Sequence, residues 1–147
     1  MKKFVFTLEK VLNVKNQLHE VKKNELMQLQ LQLRNILDDI DATRKEFDKY
    51  NYDVNNIMQN GTTSASIETY KQYFKVLDNR EKQLQDDQFR VEQAIYEKQQ
   101  EIVEIKTEIS GLEKLKEKQL AEYNKALQKE QERQIEEFLN EKISGTQ

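Results

Sequence analysis

From Leu26 to Ile57 the apolar side chains fall at alternating intervals of three and four: Leu26, Leu29, Leu33, Ile36, Ile40, Thr43, Phe47, Tyr50, Val54, Ile57. Only Thr43 is polar. On an α-helix this rhythm gathers the side chains into a stripe narrow enough to be covered by one further helix, the a/d seam of a coiled coil. A second row repeats it: Ile67, Tyr70, Phe74, Leu77, Glu81, Leu84, Gln88, Val91, Ile95, Lys98, Ile102, Ile105, Ile109, Leu112. Its polar members are Glu81, Gln88 and Lys98. A chain built this way can fill a seam between two helices but not a broad layered core.

The composition agrees where it bears on this point. Charged residues make up 35% of the 147 residues, there are 3 glycines, and proline, cysteine and tryptophan are absent. Without cysteine there is no disulfide and no sulfur-ligated metal, as expected in a reducing compartment.

One interruption separates the rows. The stretch "MQNGTTSASIE" (58–68) holds Asn60-Gly61, which tolerate left-handed backbone angles, followed by small residues. Ser64 or Ser66 can cap the helix that follows, with Glu68 near its positive end. Thr7 can cap the first helix, with Phe6 placed to staple against Val11. The expected architecture is all-α: an antiparallel two-helix coiled-coil hairpin with a longer second helix, forming one domain over 1–147. Its parts are a helix over 8–59, a loop over 60–65 and a helix over 66–143. A straight parallel dimer with a local defect at the loop is the alternative.

Folding about residues 62 and 63 pairs position i with roughly 125 − i at about 1.5 Å of rise per residue. From about 118 to 143 the second helix then overhangs its partner, with Leu120, Tyr123, Leu127, Ile135, Phe138 and Leu139 forming an apolar face. A single helix of that length is marginal in water, so the stripe calls for a partner. Toward the termini the rhythm loosens. Val11, Val14, Leu18 and Val21 keep three-four spacing but join Leu26 only through a stutter, and a similar slip follows Leu112 through Lys116, Leu120, Tyr123 and Leu127.

Chemistry-bearing motifs are missing. His19 is the single histidine and reads as a solvated surface residue, and no phosphate loop, nucleophile elbow or calcium loop occurs. An enzyme is not expected, nor a cofactor or metal. Net charge is −3, which argues against nucleic-acid binding, and no segment is long and apolar enough to cross a membrane. "MKKFVFTLEK" is too short in its apolar run for a signal peptide. The chain is expected to be cytoplasmic and monomeric when free. Residues 1–23 carry six Lys against two Glu, which suits an acidic docking partner at the base of the hairpin. Tyr52, Tyr73, Phe89 and Tyr96 flank the seam, where such rings are expected to be partly buried.

Both ends of the sequence resemble the FliJ family, the small soluble component of the bacterial flagellar type III export apparatus. "FVFTLEKVLNVK" resembles that family's start, and "NGTTSASIETYKQYFKVLD" its turn and second-helix opening. "LEKLKEKQLAEYNKALQKEQERQIEEFLNEK" resembles its ending, with Leu112, Lys116, Tyr123, Arg133, Ile135 and Glu137 on pattern and Glu136 where the family usually has Asp. The resemblance covers essentially the whole chain. It implies an antiparallel coiled coil likened to the shaft of rotary ATPases. It also implies three partners: a hexameric export ATPase, a membrane export gate and export chaperones, at the cytoplasmic face of the membrane without insertion into it. Leu120, Tyr123, Leu127, Arg133, Ile135, Glu137 and Phe138 are then expected to contact the ATPase, and Tyr50, Tyr73 and Leu77 the gate. Two other readings stay open: a chaperone-like tether that binds clients without an ATPase, and a structural coiled coil that dimerises through the overhang.

Overall fold

The computed structural model describes residues 2–145, and two helices account for nearly all of them: α1 (Glu9–Gln59) and α2 (Ser64–Gly145). They fold back on each other as an all-α hairpin whose second helix is the longer, 82 residues against 51. Contacts divide the chain into two units, Met1–Val21 with Ile102–Gln147, and Lys22–Glu101.

The turn is shorter than expected. Asn60 and Gly61 close the end of α1 through backbone bonds to Ile57 and Met58, both 3.2 Å, and Gly61 has φ 89°. The cap of α2 is Thr63, not Ser64 or Ser66. Its Oγ1 accepts from the Ser66 amide at 3.2 Å, and its carbonyl accepts from Ile67 at 3.1 Å. A threonine placed one residue past the glycine-led turn satisfies an otherwise orphaned amide, and α2 starts at once.

In the unit Lys22–Glu101, Ile36, Ile40 and Val91 form the buried core, with Leu33, Leu84 and Ile95 packed on it. Thr43, the polar member of the first row, is buried and bonds the Asp39 carbonyl one turn back at 2.8 Å. A hydroxyl answered by its own helix takes a seam position with no polar partner from α2. Lys98 is likewise tolerated: its stem lies along the seam while Nζ reaches Glu25 at 2.6 Å and Glu101 at 3.1 Å. Glu25 first, then Glu101, holds the Lys98 ammonium above its ordinary pKa, while Lys22 and then Lys98 hold the Glu101 carboxyl below its own.

The other unit corrects the expected phase of α1. Here the core is Phe6, Leu12, Ile105 and Ile109, with Phe4 and Leu112 against it. Leu12 is 5% exposed, whereas Val14 is 59% exposed and Val11, Leu18 and Val21 also face outward. The half-buried positions that follow Leu12 are Lys15, His19 and Lys22, leading to Leu26. That is an unbroken three-four rhythm one residue out of step with the valine row, so there is no stutter. The seam accepts two lysines because their stems are apolar and their heads leave it, Lys15 to Glu108 at 2.7 Å and Lys22 to Glu101 at 2.8 Å. Two of the six lysines of residues 1–23, Lys15 and Lys22, thus take acidic partners from α2. His19 is the exception to the solvated reading: it lies half-buried on the seam with Nε2 buried and without a hydrogen-bond partner.

The start of α1 also differs. Leu8, not Thr7, provides the first helical acceptor, to Leu12 at 2.9 Å. Phe6 packs with Leu12 rather than stapling to Val11. Burying a phenylalanine contributes about 1.5–3 kcal/mol and a hydroxyl cap about 1 kcal/mol, so the ring decides the path of the chain.

The interhelical ion pairs follow the register predicted from the turn. Lys116–Glu9 (2.9 Å) and Arg44–Glu81 meet it, and Lys15–Glu108, Lys22–Glu101 and Lys98–Glu25 lie within two residues of it.

Candidate interaction surfaces

Near the turn, the unit Lys22–Glu101 gathers five aromatic rings. Tyr50 meets Tyr73 edge-on at 4.5 Å between ring centres, Phe74 at 5.1 Å and Tyr70 at 6.3 Å, while Phe47 meets Phe74 at 5.2 Å. Edge-to-face packing of this kind adds about 0.5–1.5 kcal/mol per pair beyond burial and holds the rings in fixed orientations. Tyr50 and Tyr73 are half-buried. Leu77, expected beside them at a contact surface, is 1% exposed and so offers a partner almost no surface.

Two polar residues that sequence reasoning missed fix Tyr73. Its hydroxyl donates to one carboxylate oxygen of Glu46, and Arg80 donates to the other at 2.9 Å. The Tyr73 hydrogen bond, with the Arg80 charge behind it, holds the Glu46 carboxyl below its usual range. In return Glu46 pushes the Tyr73 phenol up. The register was the available signal, since Glu46 and Arg80 fall on facing positions of a fold about residues 62 and 63.

The second surface is the C-terminal part of α2. Tyr123 is not on an overhang: its ring lies 5.6 Å from Phe4, and its hydroxyl donates to the Lys2 carbonyl. The extended segment ahead of α1 therefore covers α2 beyond residue 118, where the sequence placed the end of pairing. Gln119, not Leu120, is the half-buried position after Lys116, so the slip expected after Leu112 is absent as far as Tyr123. Leu127 is half-buried, and from Gln131 to Gly145 every residue is exposed. Within that stretch Ile135, Phe138 and Leu139 are each more than half exposed on adjoining turns. Arg133 pairs with Glu137 at 3.2 Å along the same helix, and the Lys142 ammonium sits 5.6 Å from the Phe138 ring centre. Such i,i+4 contacts add a few tenths of a kcal/mol each and maintain helix where packing does not.

The aromatics flanking the seam divide. Tyr73 is half-buried as expected, whereas Tyr52, Phe89 and Tyr96 stand exposed. Among the described residues, no cluster of three or more His, Cys, Asp or Glu is placed to hold a metal ion, and no helix is long and apolar enough to cross a membrane. The features that remain are aromatic and aliphatic patches displayed on paired helices. They belong to a helical hairpin of coiled-coil type. Comparison with known families gives the particular one: residues 4–145 match the family described as Flagellar FliJ protein, and the chain belongs to it. That family is a non-catalytic component of flagellar export. No curated protein and no solved structure matches the chain.

Proposed function

We propose that this flagellar export component couples a hexameric export ATPase to the membrane export gate, without catalysis of its own. The observation that carries the reading is the row Ile135, Phe138 and Leu139, held on a continuous helix and open to solvent. Large apolar groups on one helical face suit insertion between the subunits of a ring, where burial would order the stretch. In this reading Leu127, Arg133, Ile135, Glu137 and Phe138 contact the ATPase. Leu120 and Tyr123 act from the adjoining turns, Tyr123 by holding the N-terminal segment. The ring cluster of Tyr50 and Tyr73 faces the gate, and export chaperones are the third class of partner. The chain works as a monomer bound at the cytoplasmic face of the membrane, with no nucleic acid and no cofactor.

The test is nucleotide turnover and light scattering on mixtures with the export ATPase of the same organism, comparing the native chain with Ile135→Asp/Phe138→Asp. The native chain is expected to stimulate turnover and assembly, and the variant to lose at least about tenfold in apparent affinity while keeping its helicity. Equal stimulation by both would remove the ATPase from this surface. No stimulation by either would favour a tether that binds client helices without an ATPase.

A further inference from the structure

The row Val11, Val14, Leu18 and Val21 has the spacing of a seam but is not used as one. The unit that contains it seals itself through Leu12, with Lys15 and His19, one residue to the side. Four aliphatic side chains at three-four intervals remain on one exposed face of α1. Only another helix laid alongside covers positions so spaced over three turns.

The rims of this face carry opposite charges. Lys15 is beside the row and pairs across to Glu108, which places that edge of α2 along one rim. Glu104 lies one turn from Glu108 on the same edge, exposed and without an ion pair among the described residues. On the opposite rim Lys10 is exposed, also without an ion pair among the described residues. An occupant therefore meets an acid on the α2 side and a base on the other. The area sets a further limit: four half-exposed aliphatic side chains fall far short of the about 800 Å² per partner of a standard stable interface. That is too little to hold two copies of the chain together and suits a short helix that binds and leaves.

We infer that this face is a transient docking site for an amphipathic helix of a partner protein. Its apolar stripe lies on Val11, Val14, Leu18 and Val21, with Lys or Arg toward Glu104 and Asp or Glu toward Lys10. The site is independent of the C-terminal stretch and of the ring cluster, and it stands whether or not the ATPase reading does.

The probe is a synthetic amphipathic helical peptide with leucines at three-four spacing, lysines along one flank and glutamates along the other. It is titrated into the full chain by fluorescence anisotropy and mapped by backbone amide shifts. The expected result is shifts centred on residues 8–24 and around Glu104, and binding weakened at least about tenfold in Val14→Gln/Leu18→Gln. Circular dichroism of that variant should be unchanged, because both positions are exposed. Glu104→Lys should weaken binding, because both rims are then basic and the lysine flank of the peptide meets a like charge whichever way the helix lies. Equal binding by the double glutamine variant, shifts centred elsewhere, or indifference to Glu104→Lys would overturn the inference. So would sedimentation showing a dimer of the full chain that Leu18→Gln dissolves, since the row would then belong to a second copy.

Discussion

Glu46 accepts from two donors, Tyr73 on α2 and Arg80 about two turns further along, and so ties the ring cluster to α1. Both pKa displacements belong to this contact, and they bound its pH range. The carboxyl is held low, so its contribution is present above the ordinary Glu value of about 4.3 and is lost as pH falls through the lowered one. The phenol is held high, so its contribution is present below about 10 and is lost as pH rises through the raised value. The contact is therefore intact from mildly acidic to mildly alkaline pH. Glu46→Gln should return one tyrosine toward about pH 10, seen as earlier phenolate absorbance in an alkaline titration against the native chain. An unchanged titration curve would mean that Glu46 does not hold Tyr73 in solution. Tyr73 was legible in the sequence as a ring beside the seam. Its two partners were not singled out, because acids and bases are common on both helices and only the fold selects which of them meet.

At the scale of one helix, α1 carries two candidate seams of equal spacing, and the one containing two lysines and a histidine is used. His19 marks the cost, since a buried ring nitrogen without a partner is worth about 1–3 kcal/mol against the fold. His19→Leu should remove that penalty and add apolar burial, raising Tm by about 2–8 °C in a thermal melt. A lower Tm would show that the imidazole is bonded in solution. The turn was easier to read. Asn60-Gly61 announces a left-handed residue, and Gly61 adopts φ 89°. The cap was misread as Ser64 or Ser66, since Thr63, Ser64 and Ser66 are all able to cap, and the fold uses Thr63.

At the scale of the whole molecule, the ion pairs between helices among the described residues are partly exposed, and pairs of that kind contribute about 0–1 kcal/mol each. They select the register, while the apolar seam supplies the stability. Raising salt to about 1 M, where the Debye length is about 3 Å, should accordingly shift Tm by only a few degrees. A fall of more than about 10 °C would show that charge, not the seam, holds the hairpin together. Local rules were enough for two helices, one turn and a second helix longer than the first, because helical period, glycine at the turn and the absence of proline act within a few residues of themselves. Which row of α1 faces α2 near the termini could not be read this way. The rows Val11–Val21 and Leu12–Lys22 have the same rhythm, about 100° apart on the helix. The choice follows from what α2 brings opposite: Ile105 and Ile109 for Phe6 and Leu12, and Glu108 for Lys15.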